Sequence, residues 1–178
     1  MLAPFFDLPN VDLRQVSPDS YPEAKGLILL FTCNHCPYVI AYEDRIKALH
    51  AQFAPLGVPV VAISSNDKAQ YPQDSFEQMQ VRAAARGFEF AYLYDESQEV
   101  ARHYGAERTP HAFILWRTDA GWEIVYKGQI DNNSSYKMPV PVTETYVADR
   151  VLQLLAGVAL PYSETPSVGC TIKWKLPV

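Results

Sequence analysis

The 178-residue sequence predicts an α/β fold in which a central mixed sheet is flanked by helices. Three observations predict it. Apolar runs of strand length alternate with amphipathic, helix-length stretches. A Cys-x-x-Cys motif, Cys33-Asn34-His35-Cys36, falls where the first buried strand gives way to the first helix. A Thr-Pro pair, Thr109-Pro110, stands just before a later strand.

The elements follow in order. Residues 1–25 are rich in proline and aspartate and read as an N-terminal extension, a loop or short hairpin leading into the core. Leu27-Ile28-Leu29-Leu30-Phe31 is a continuous apolar run, as in a strand buried on both faces. Residues 42–53 carry Ile46, Leu49 and Phe53 at helical spacing, with Glu43, Asp44, Arg45 and Lys47 between them, and Pro55 and Gly57 end that helix. Residues 58–64 predict a second buried strand. A polar loop over 66–73 follows, and Asp74 is placed to cap a helix to about Arg86, stopped by Gly87. Residues 88–94 predict a third strand, and Asp95 or Ser97 caps a short helix ending at Gly105. Residues 111–116 and 123–127, joined by Asp119-Ala120-Gly121, predict a hairpin. A closing helix is expected over 142–155, starting near Thr143 and Glu144. Residues 158–178 form a proline-containing tail expected to lie on the surface, so 1–178 reads as a single domain.

Composition narrows the function. Hydrophobic residues make up 48% and charged residues 20%, an ordinary globular balance, and the net charge is −5. No stretch concentrates Lys and Arg, which argues against a nucleic-acid surface. The start shows neither the basic nor the apolar region of a secretory signal. The longest apolar run, residues 26–31, is far short of the ~20 residues of a membrane span. A cytoplasmic protein is expected, with no membrane partner. In that reducing compartment a close cysteine pair points to catalysis or metal binding.

The chemistry centres on Cys33 and Cys36. Two intervening residues on a first helical turn bring the sulfurs within bridging reach. Free N–H groups at a helix start favour a thiolate, so Cys33 is expected to ionise below the ordinary thiol range and attack a substrate disulfide. Cys36 would resolve the mixed disulfide. His35, as imidazolium, would add positive charge beside Cys33; alternatively it is an exposed helix-start histidine of little effect. Asn34 and His35 together are the residues that would modulate the pair. Half of a zinc site would look the same, but zinc needs four ligands, and His50, His103, His111 and Cys170 lack ligand spacing. Neither a metal nor another cofactor is expected. Cys170 is either a third redox thiol or a free cysteine packed as a small apolar residue. Asp67 and Asp131 follow strand ends and read as turn or cap residues that could face the pair.

The layout of strand, Cys-x-x-Cys, helix, Thr-Pro, strand, turn, strand and helix resembles the thioredoxin superfamily. The resemblance implies a cis Thr109–Pro110 peptide lying against the cysteines, with the Thr109 backbone bonding an extended substrate segment. The helix and strand between the two halves look like the peroxiredoxin-related branch, alkyl hydroperoxide reductase/thiol-specific antioxidant (AhpC/TSA) and TlpA/ResA-like proteins. Phe31-Thr32-Cys33-Asn34-His35-Cys36-Pro37-Tyr38-Val39, Arg108-Thr109-Pro110, residues 128–133 and residues 168–174 look like bacterial cytosolic thioredoxin-like proteins of that branch. Two departures stand out. Peroxiredoxins carry Pro-x-x-x-Thr-x-x-Cys before their reactive cysteine, whereas here Thr32 directly precedes Cys33 and residues 26–31 contain no proline. Thioredoxin has a buried aspartate six residues before its first cysteine, and Leu27 stands there instead. Glu43, Asp67 or water would have to serve as the base.

The expectation is therefore a thiol–disulfide oxidoreductase that exchanges disulfides with a protein or a small thiol, supplied by a separate electron donor. It would act as a monomer or weak homodimer. The alternatives are a peroxiredoxin-like antioxidant thiol peroxidase and a metal-handling module such as a copper carrier.

Overall fold

A computed structural model describes residues 1–178. Six strands form one mixed sheet. Strand β3 (Gly26–Thr32) lies at its centre, parallel to β4 (Val60–Ser64), which pairs in parallel with β5 (Ala91–Tyr94). On its other side β3 runs antiparallel to β7 (His111–Thr118), which forms the hairpin with β8 (Gly121–Gly128). A two-residue strand, β9 (Ser163–Glu164), extends the β8 edge in parallel. The N-terminal extension contains a small hairpin of β1 (Leu8–Pro9) and β2 (Gln15–Val16).

Every residue of β3 is buried, so its side chains feed two cores at once. Ile28 and Leu30 enter one core with Tyr42, Ile46 and Phe53 of α1 (Pro37–Phe53), Met79 of α2 (Phe76–Arg86) and Val147 and Val151 of α4 (Tyr146–Leu155). Leu27, Leu29 and Phe31 enter the other with Phe6, Ala101 and Tyr104 of α3 (Glu99–Tyr104), and Ile172. Truncating a side chain such as Leu29, with no exposed surface, would cost about 2–5 kcal/mol.

Several boundaries differ from the sequence expectation, each for a local reason. Helix α1 starts at Pro37, five residues early, because Val39 already turns into the core. Helix α2 is capped by Ser75, whose hydroxyl accepts from the Gln78 N–H, and Asp74 is drawn elsewhere. Helix α4 starts only at Tyr146, because the Asn132 side chain takes the N–H groups of Thr143 and Glu144 into a loop. The tail does more than cover a surface. Its strand β10 (Cys170–Thr171) pairs antiparallel with β6 (Arg108–Thr109), and Ile172 is buried.

Candidate functional site

Strand β3 ends at Thr32 and α1 begins at Pro37, so Cys33 to Cys36 form the connection between a central strand and the main helix. Cys36 is the residue that precedes the helix, while Cys33 lies at the strand end. Both are buried, Cys33 2% exposed and Cys36 not at all. The Thr109–Pro110 peptide, between β6 and β7, is cis. Thr109 reaches both cysteines: its hydroxyl is 3.7 Å from Cys33 Sγ, and its carbonyl accepts from the Cys36 thiol at 3.4 Å.

The charge distribution within the pair reverses the sequence expectation. The Cys33 S–H donates to Cys36, which holds the Cys36 thiol below its ordinary range. Cys33 is pushed well up by the same hydrogen bond, by burial and by the carboxylate of Asp74. Helix α1 starts after Cys36, so Cys33 does not occupy the helix end that favours an anion.

Asp74 is the site residue that sequence reasoning missed. It is fully buried just before α2. Its carboxylate accepts from the Asn34 N–H at 2.8 Å and from Asn66 Nδ2 at 2.9 Å, and it hydrogen-bonds His35 Nδ1. Asn34 is fixed again by donating to the Gln73 carbonyl and accepting from the Tyr92 hydroxyl at 2.7 Å. The His35 ring stacks on Tyr71, centroids 5.1 Å apart. The two residues between the cysteines are therefore clamped by one buried carboxylate. The only sequence signal was a polar loop, rich in side-chain acceptors, after the end of a buried strand.

The acids expected to serve as a base or to face the pair are committed elsewhere. Glu43 is buried and grips Arg82 and Arg86. Asp131 accepts from the Tyr42 hydroxyl and from Arg45. Asp67 accepts from the Ala69 N–H and Gln70. None bonds a site thiol. Of the histidines outside the motif, His50 and His111 accept from the Val60 and Glu107 N–H groups.

A Cys33 sulfur, a His35 ring nitrogen and an Asp74 oxygen lie within 4.8 Å of one another. An ion held there would replace the His35–Asp74 hydrogen bond and compete with the amide donors on Asp74. Cys170 packs against the pair from β10. Thr109, whose backbone the resemblance reserves for a substrate, instead faces the chain's own tail.

A mixed sheet with Cys-x-x-Cys at the end of its central strand, facing a cis Thr-Pro, defines a thioredoxin-fold protein. The chain belongs to the AhpC/TSA family, whose model matches residues 2–149. It is similar over its full length to a conserved protein from Geobacillus kaustophilus, with 40% identity, 93% of that chain covered and a TM-score of 0.91. It is also similar to a protein from Sinorhizobium meliloti, at 31% identity and a TM-score of 0.87, with 99% of this chain and 94% of that one covered. A thiol:disulfide interchange protein from Chlorobium tepidum shares the fold, with 16% identity, a TM-score of 0.58, and 87% and 95% of the two chains covered. No curated protein matches the chain. No helix is long and apolar enough to cross a membrane.

Proposed function

We propose that the protein is a thiol–disulfide oxidoreductase in which Cys33 attacks a substrate disulfide and Cys36 resolves the product. The observation that carries this reading is the contact of both thiols with Thr109, at 3.7 Å and 3.4 Å, beside the cis peptide. As Cys33 attacks, its proton passes to Cys36 along the hydrogen bond they share. One substrate sulfur leaves as a thiolate, and the other is held on Cys33. Cys36 then gives its proton to solvent and attacks Cys33 Sγ, which releases the second substrate thiol and leaves a 33–36 disulfide. The Asp74 clamp keeps Asn34 and His35, and hence the two sulfurs, in register. An extended substrate segment would take the Thr109 edge beside Pro110 and displace β10. The substrates are disulfide-bearing proteins or small disulfides in the cytoplasm, and an external thiol returns the electrons.

Insulin reduction driven by dithiothreitol tests the proposal. Turnover lost in Cys33→Ser is the expected result. No insulin turnover, together with fast peroxide consumption by Cys33, would replace the proposal with a thiol peroxidase.

A further inference from the structure

We propose that Cys170 is a third redox thiol, which takes the disulfide over from the 33–36 pair as a Cys36–Cys170 bond. This rests on the oxidoreductase reading above and extends it to a residue on the tail.

The register of β10 sets Cys170 opposite Thr109, the residue whose carbonyl meets the Cys36 sulfur. Cys170 therefore arrives on the same side as the pair and packs against Cys33, Cys36 and Val39. Cys36 lies close enough for its charge to act on the Cys170 thiol. Several contacts hold it there. Gly169 has φ +156°, and a Cβ on it would stand 2.2 Å from the Thr109 carbonyl oxygen, so only glycine lets the tail come this close. Arg108 Nη1 donates to the Gly169 carbonyl at 3.1 Å. On the far side the Ile172 N–H donates to Glu107, and the Lys173 N–H to Asn66 Oδ1 at 2.9 Å. The tail thus presents a sulfur to the pair in the way a bound substrate strand would.

Exposure separates the three thiols. Cys33 and Cys36 have 2% and 0% of their surface open, whereas Cys170 is half-buried. While β10 is docked, a disulfide between two buried sulfurs is shielded from direct attack by an external thiol. A third thiol touching one of them carries the bond outward.

The step balances without another reactant. In the oxidised protein Cys170 gives its proton to solvent and attacks Cys36 Sγ. The 33–36 bond breaks, the 36–170 bond forms, and Cys33 leaves as a thiolate and takes up a proton. No net oxidation occurs. An external thiol can then attack Cys170 Sγ and displace Cys36, whose anion the site favours and which is therefore a good leaving group. A second equivalent of thiol releases the external disulfide and restores Cys170. In the reduced protein burial and the neighbouring Cys36 push the Cys170 thiol up to about 11. The part due to Cys36 disappears once Cys36 is in a disulfide.

The test is disulfide mapping of the full chain. The protein is oxidised with diamide, blocked with N-ethylmaleimide and digested with trypsin without reduction. Cys33 and Cys36 fall in one tryptic peptide, residues 26–45, and Cys170 in another, residues 151–173. The expected product is a cross-link between these peptides in the wild type, retained in Cys33→Ser and lost in Cys36→Ser. The inference is overturned if oxidised wild type holds only the internal 33–36 bond and Cys33→Ser shows no cross-link. It is also overturned if the cross-link persists in Cys36→Ser, since the bond would then run to Cys33. The wild-type result depends on no variant folding. Insulin turnover that needs Cys33, with no cross-link, removes this inference and leaves the oxidoreductase reading standing; a cross-link without insulin turnover does the reverse.

Discussion

Acid should weaken the fold through His111. This ring, 1% exposed, follows Pro110 at the start of β7, and its Nδ1 accepts from the Glu107 N–H at 3.2 Å. Burial, helped by the Lys127 ammonium, lowers its pKa from 6.5 to about 4. The unfolded chain titrates near the ordinary value, so between about pH 6.5 and 4 the unfolded state holds a proton that the folded state refuses. Stability is then full above the unfolded pKa and is lost as pH falls through this window, at about 1.36 kcal/mol per pH unit. Down to pH 4.5 the loss is about 2–3 kcal/mol, a sizeable part of the ~5–15 kcal/mol that holds a domain folded. Urea unfolding at pH 7.5 and 4.5 measures it, with His111→Gln as the comparison, since all other titrating groups are common to both chains. The wild type should lose about 2–3 kcal/mol more than the variant between the two pH values. Equal losses would refute the claim that burial keeps His111 neutral.

Three other substitutions have defined outcomes. Asp74→Asn removes the negative charge beside Cys33 and should move its ionisation to lower pH, read as thiolate absorbance of the reduced protein; an unmoved or raised titration would sink the assignment. The same substitution weakens the hydrogen bonds of a buried acceptor and should cost about 1–3 kcal/mol in urea unfolding. Glu43→Ala strands Arg82 and Arg86; because Arg86 is 44% exposed, the loss should be about 2–3 kcal/mol, below the ~3–5 kcal/mol of a fully buried pair. Gly169→Ala places a Cβ on the Thr109 carbonyl. It should weaken the docking of β10 by at least about 1 kcal/mol, so that iodoacetamide reacts with the buried pair about fivefold faster, and an unchanged alkylation rate would contradict the packing of the tail.

The sheet was largely legible because its strands are unbroken apolar runs, of which Leu27 to Phe31 is the clearest. Cys33, Cys36, Thr109 and Pro110 stood out for a related reason: each candidate motif is written in neighbouring residues. What escaped is tertiary. Asp74 meets Asn34 and His35 only after β4 and its loop return to the end of β3, and locally it looked like a helix cap. Glu43 looked like a free acid on a polar helix face until α2 laid two arginines over it. The rise of the Cys33 thiol turned on burial and on the Asp74 carboxylate, and neither shows in the local sequence.

The docking of β10 also has a consequence in time. A chain emerging from the ribosome completes β3 and α1 at Phe53, yet β10 starts 117 residues later, at Cys170. At ~5–20 residues per second this is a delay of about 6–23 s. For that interval Cys33 and Cys36 lack the packing of Cys170 against their cluster, which the folded chain supplies.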